Sequence, residues 1–259
     1  MTSTPIDYLS DYVATINPSG GSSIVLACEH ASSYIPDDYN ALGLTAEGQS
    51  SHAAWDPGAL GVAQKLSHLL NAVLVASQAS RLLYDCNRPP NATSAMPTRS
   101  ELIDIPGNKD LTASEKSQRV KLFYEPFREQ LHQAMMRRAD PILVTVHSFT
   151  PVFFGKLRSL KIGVLHDADT RLADAMLDIS NEKRDQNIKR NAPYGPEDGV
   201  THTLQEHAIA HGHLNVMLEI RNDLIATDDQ QNAMAKMIAK WIDQACIRLG
   251  VVGDLQCRA

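Results

Sequence analysis

Three apolar runs constrain this chain more than any other feature, because each is too short for a helix and each stops abruptly at a residue with proton-transfer or metal-binding chemistry. Ile24, Val25, Leu26, Ala27 and Cys28 give way to Glu29-His30; Ile142 to Val146 give way to His147-Ser148-Phe149; Leu214 to Leu218 give way to Glu219. Short, largely apolar runs of this kind read as strands buried on both faces. Ala72 to Ala76 is a fourth such run, and Leu160 to Leu165, followed by His166-Asp167, is a fifth. Helical spacing fills the intervals. Leu60, Ala63, Leu66 and Leu69 form one apolar stripe, entered through Asp56 as N-cap and Pro57 as first helical residue. Thr112 and Glu115 form a capping box ahead of a second stripe from Val120 to Met135, in which Pro126 predicts a kink. Leu172, Met176 and Ile179 mark a third helix, Thr203 to His211 a short fourth, and Thr227 to Gly250 the last. Strands alternating with helices predict a single three-layer α/β/α domain over residues 22–259, built on a mostly parallel but mixed central sheet. Residues 1–21 are polar, carry Pro5, Pro18, Gly20 and Gly21, and read as an N-terminal arm.

Charge and cysteine content narrow the chemistry. A net charge of −6 and a pI near 5.9, with no basic cluster beyond Arg137-Arg138, argue against nucleic acid and anionic membranes and for a small-molecule partner. No apolar run is long enough to span a bilayer, and the opening residues show neither a basic start nor an apolar signal core, so a cytoplasmic location is expected. Cys28, Cys86, Cys246 and Cys257 are scattered, which fits reduced thiols and leaves any metal to His and carboxylate ligands.

In α/β sheets ligands collect beyond the carboxyl ends of the strands. That rule makes His30, His147 and Glu219 site candidates, together with Arg81, Asp85, Asn87 and Arg88 after the run Ala72 to Ala76. Two imidazoles and a carboxylate can hold zinc with a position left for water, and a further carboxylate can take the proton of that water. Arginine and asparagine suit an oxyanion and a substrate carboxylate. The expected reaction is metal-assisted hydrolysis of an amide in an acidic small molecule. The irregular stretch Ser80 to Leu111 and the turn-rich stretch Asn181 to Thr201 are expected to cover the site. Two alternatives stand beside this: Cys28 as a thiolate nucleophile, and a non-catalytic dicarboxylate-binding protein that has lost its metal.

The segments EHASSYIP, Trp55-Asp56-Pro57-Gly58-Ala59, SRLLYDCNRP, VHSF, NAPYGPEDGVTHTLQEHA and LEIRNDLI, in this order, resemble the N-formylglutamate amidohydrolase family from about Ile24 to Ile225. The resemblance implies a fold related to the zinc carboxypeptidases and aspartoacylases, one zinc ion, and hydrolysis of N-formyl-L-glutamate to formate and L-glutamate, a late step of histidine breakdown. Another N-acyl amino acid is the rival substrate, for a deacylase or carboxypeptidase. Carried onto this chain, the resemblance implies His30 and His147 as zinc ligands, Glu219 as base, Arg81 as the carbonyl-polarising group, and Asn87 and Arg88 as carboxylate binders; Tyr194 is expected, apart from the resemblance, as a further substrate contact. The related His-x-x-Glu pattern is broken here by Ser33, so the third ligand is expected to be Asp56, with Glu29 as the second choice.

Overall fold

The computed structural model describes residues 11–182, 187–251 and 257. Seven strands form one sheet: β1 (Val13–Ile16), β2 (Ile24–Cys28), β3 (Val73–Ser77), β4 (Ile142–Phe149), β5 (Ile162–Leu165), β6 (Ile188–Arg190) and β7 (Asn215–Arg221), in the spatial order β1-β3-β2-β4-β7-β5-β6. The four central strands, β3, β2, β4 and β7, are mutually parallel, whereas β1 runs antiparallel to β3 and β5 antiparallel to β7. Parallel neighbours need long crossovers, and these carry the helices that bury both sheet faces.

Alternation along β2 shows why its run is unbroken. Ile24, Leu26 and Cys28 point into a core shared with Val62, Leu66, Leu172, Met176, Ile238 and Trp241. Those residues belong to α2 (Ala59–Leu69), α5 (Arg171–Glu182) and α7 (Asp228–Arg248). Val25 and Ala27 point the other way, towards Leu83, Phe123, Phe127 and Leu131. That second layer is one long element in which α3 (Ala113–Arg119) passes through a π-helical turn, Val120–Tyr124, into α4 (Glu125–Met136). The π turn lies just ahead of Pro126, where the missing N–H breaks the regular ladder. The capping box expected at Thr112 starts α3, and a second one, at Thr227, starts α7.

The sequence expectations are corrected at the arm and at Asp56. The presumed arm contains β1, a half-exposed edge strand whose four residues are too few to show a period; residues 1–10 lie outside the described residues. Between β2 and α2 lie a 3-10 segment, Asp37–Gly43, and the short helix α1 (Ala46–Ser50). Asp56 does not cap α2. Gly58 occupies the cap position with φ +82°, and a Cβ there would lie 2.4 Å from the Ile225 carbonyl oxygen, so only glycine fits and the Asp56 side chain is left free to turn elsewhere. Finally, because β5 runs antiparallel to β7, it carries His166 and Asp167 away from the sheet edge that holds His30 and His147.

The irregular stretch after β3 is ordered by buried polar groups. Asn108 donates to the carbonyls of Leu82 and Pro97, and the buried Arg119 donates to Leu83 O, Gly107 O and Asn108 Oδ1. Backbone groups that have no strand or helix partner are thereby satisfied.

Candidate active site

The carboxyl ends of β2, β4 and β7 open onto a cavity of about 350 Å3 lined by His30, Asp56, Arg81, His147, Tyr194 and Glu219, with Asp85, Asn87 and Arg88 along the same wall. Its floor is set by backbone pairing. Glu219 lies opposite His147 in the β4–β7 register, and the Asp56 N–H donates to the His30 carbonyl at 2.9 Å.

Three electron-pair donors converge there. His30 Nδ1 lies 3.3 Å from Asp56 Oδ2, His147 Nδ1 lies 3.1 Å from the same oxygen, and the two ring nitrogens are 3.2 Å apart. The Ser148 N–H fixes Asp56 Oδ2 by donating to it at 3.1 Å. The far side of each ring meets a second carboxylate: His30 Nε2 is 2.7 Å from Asp85 Oδ1, and His147 Nε2 is 3.1 Å from Glu29 Oε2, an ion-pair distance with poor hydrogen-bond alignment. Carboxylates placed there draw the imidazole protons to Nε2 and turn both Nδ1 lone pairs inward, the arrangement found behind metal-ligating histidines. With their protons on Nε2, the two rings and Asp56 Oδ2 present three converging donor atoms to one cation. His30, Asp56 and His147 therefore fit a metal ion, and they are the one cluster of this type among the described residues.

The same carboxylates dominate the electrostatics, and with no metal between them they favour protonated rings. Burial and Arg81 would lower the His30 pKa, but Asp85 and Asp56 outweigh them and raise it; burial likewise opposes, and Glu29 and Asp56 overcome it, to raise His147 well above the ordinary value. Despite burial, Asp85 is held well below the carboxylate range by His30 and Arg81. Glu219 goes the other way. Burial, reinforced by the Asp56 carboxylate, raises it to about 7, and its Oε2 has no hydrogen-bond partner. A carboxylate so placed is poised to exchange a proton near neutral pH.

Each residue singled out in the sequence can now be located. His30, His147, Asp56, Glu219, Arg81, Asn87, Arg88 and Tyr194 all line the one cavity, while Glu29 stands behind His147 and not on the cavity surface. Arg81 donates to Asp85 Oδ2 at 2.8 Å and to His30 Nδ1 at 3.1 Å. Asn87 uses its carbonyl oxygen to accept from the Thr203 N–H and one amide N–H to donate to Val200 O, so a single amide N–H is left for a ligand. Arg88 donates to Asp198 O at 2.6 Å across the cavity rim. Cys28 points into the apolar core, and burial followed by Glu29 and Asp56 pushes its thiol well above the normal range, which removes the thiolate alternative. The role of Asp85 behind His30 was missed by sequence reasoning, although its place in Asp85-Cys86-Asn87-Arg88 was visible.

Comparison with known proteins places this geometry in a lineage. The chain matches the family model described as N-formylglutamate amidohydrolase over residues 22–226. Among solved structures, a gene product of Agrobacterium tumefaciens is 49% identical, with a TM-score of 0.90 and coverage of 92% of this chain and 96% of that one. The N-formylglutamate amidohydrolase of Ralstonia eutropha shares the fold at 17% identity and a TM-score of 0.59, covering 93% and 99% of the two chains. No curated protein sequence matches the chain. No helix among the described residues is long and apolar enough to cross a membrane. The buried histidine and carboxylate cluster at the ends of parallel strands thus belongs to a hydrolase of amide bonds, and the chain is a member of the N-formylglutamate amidohydrolase family.

Proposed function

We propose that this protein is a cytoplasmic, zinc-dependent enzyme of histidine breakdown that hydrolyses N-formyl-L-glutamate to formate and L-glutamate. The observation that carries the reading is the convergence of His30 Nδ1, His147 Nδ1 and Asp56 Oδ2, with Asp85 and Glu29 behind the two rings. Those three side chains would hold the zinc, and Glu29, the other candidate ligand, supports His147 from behind. When bound, zinc acidifies water and polarises a carbonyl oxygen.

The remaining roles fall to the chain. Glu219, buried at the cavity wall, takes a proton from the attacking water and returns it to the departing amine nitrogen. Arg81 directs N–H groups at the oxyanion that develops as the amide carbon becomes tetrahedral, while Asp85 fixes its guanidinium. Arg88 and the spare N–H of Asn87 take a substrate carboxylate, with Tyr194 on the same wall. A buried Glu219 raised towards neutrality beside the ring cluster is costly to maintain and has no use in a mere dicarboxylate binder.

The test is elemental analysis of the purified protein joined to formate release from N-formyl-L-glutamate, with N-acetyl-L-glutamate in parallel. The expected result is about one zinc per chain, with formate release abolished by a chelator and restored by zinc. Activity indifferent to chelation would overturn the metal reading, and faster turnover of the acetyl compound would overturn the formyl preference.

A further inference from the structure

Arg158 follows the small hairpin formed by Val152–Phe153 and Lys156–Leu157, just beyond the carboxyl end of β4. Its backbone is held on both sides: the N–H donates to Pro151 O at 2.8 Å, and the carbonyl accepts from Arg221 Nη1 at 2.8 Å. Its guanidinium carbon stands 4.2 Å from the ring centre of Phe153, 5.4 Å from that of Tyr194 and 5.5 Å from that of Phe149. The charged head makes only long contacts with neutral oxygens, to Thr150 O at 3.3 Å and Tyr194 Oη at 3.4 Å. Phe149, Thr150, Phe153 and Tyr194 all line the active-site cavity.

Each of the other arginines around the site has a carboxylate within ion-pair distance. Arg81 is paired with Asp85, Arg88 approaches Asp85 at 3.8 Å, and Arg221 is paired with Asp223. Among the described residues no carboxylate lies within ion-pair distance of Arg158. Aromatic faces hold a guanidinium flat without neutralising it. Arg158 is not itself in the cavity lining but stands against Phe153 and Tyr194, which are; a half-buried, planar, unbalanced cation one side chain from the cavity attracts a planar anion.

We propose that Arg158 is a specificity-determining residue that takes the second carboxylate of the substrate, the one on its side chain, while Arg88 takes the first. This inference rests on the reading of the cavity as a site for an N-acyl acidic amino acid, and adds the reason an acidic side chain is chosen over a neutral one. A carboxylate completes the charge of Arg158, whereas an amide of the same shape leaves it unpaired.

The test is equilibrium binding of L-glutamate and its neutral isostere L-glutamine, by calorimetry on zinc-supplemented protein, for wild type, Arg158→Met and Arg158→Gln. Methionine keeps the apolar stem among the rings, and glutamine is the second neutral variant should the first fail to fold. Wild type should prefer glutamate about 10- to 100-fold, as for one charge-assisted pair, and the neutral variants should lose most of that preference while holding glutamine as before. Three results overturn the proposal: no glutamate preference in wild type, the preference retained in the variants, or both ligands weakened alike, which would make Arg158 a structural staple for Tyr194. Because binding is read without turnover, failure here is distinct from a failure of wild type to release formate from N-formyl-L-glutamate, which would sink the substrate reading instead.

Discussion

Replacing Glu29 by Gln is expected to weaken zinc binding about tenfold, although Glu29 does not line the cavity. The side chain is fully buried, so no water can substitute for it, and Oε2 lies 3.1 Å from His147 Nε2. The His147 and His30 imidazoles and Thr203 keep its carboxyl ionised against the opposing effect of burial. As an anion it can only accept, which places the His147 proton on Nε2 and leaves Nδ1 free to ligate. Glutamine weakens this in two ways. A neutral acceptor is worth roughly 1 to 1.5 kcal/mol less than a charged one, which corresponds to the tenfold loss, and a glutamine amide turned about would donate to Nε2 and favour the wrong tautomer. Glu29→Ala, which leaves the ring without a partner, should reach the upper end of the range for outer ligand support, about 100-fold. Zinc affinity would be measured by competition with a chromophoric chelator, and the melting temperature of zinc-free protein recorded for each variant. Zinc affinities of both variants within about twofold of wild type would refute the argument, as would a lowered melting temperature with unaltered affinity, since that pattern assigns Glu29 to packing alone.

Two other outcomes are expected. Glu219→Gln should lower kcat by about 10²- to 10⁴-fold, the usual contribution of a positioned acid or base, with zinc content and KM nearly unchanged; loss of zinc would remove Glu219 from the base role. The second concerns stability. Burial holds His207 down to about 4 against the opposing pull of Glu206, from an ordinary value of 6.5. Between those values the unfolded chain binds a proton that the folded chain refuses, so stability is intact above about 6.5 and lost as pH falls towards about 4. From about pH 7 to pH 5 the loss should be roughly 2 kcal/mol, and His207→Gln should flatten the slope by that amount in urea unfolding. Equal slopes for the two proteins would show that His207 is not the titrating group.

Much of the architecture is visible before folding because it depends on local pattern. Five largely apolar runs mark β2, β3, β4, β5 and β7, since a strand covered on both faces tolerates few polar positions, Thr145 and Asn215 among them. The capping box at Thr112 is legible for the same reason: residues three apart suffice to make it. β1 escaped notice because its pairing to β3 lies some sixty residues away in the chain, and four half-exposed residues carry no signature of their own.

The site divides along the same line. Residue type and position at strand ends were enough to single out His30, His147 and Glu219, because a polar group leaving a buried strand must emerge at the sheet edge. The direction of β5, which takes His166 away from the other strand-end histidines, was not encoded in its own run. The choice between Asp56 and Glu29 likewise needed the fold. An Asp before Pro-Gly reads as a helix cap, and only the left-handed Gly58, pressed against Ile225, releases Asp56 towards Ser148 and the two rings. Arg158 owes its surroundings to Phe149, Phe153 and Tyr194, and the last of these arrives from beyond β6. What this sequence determined alone was which segments are buried and which chemical groups stand at their ends, because burial and capping are decided by neighbours in the chain. The tertiary structure decided strand direction, the partner of each carboxylate and the balance of each charge, because these depend on groups that meet only when the sheet has formed.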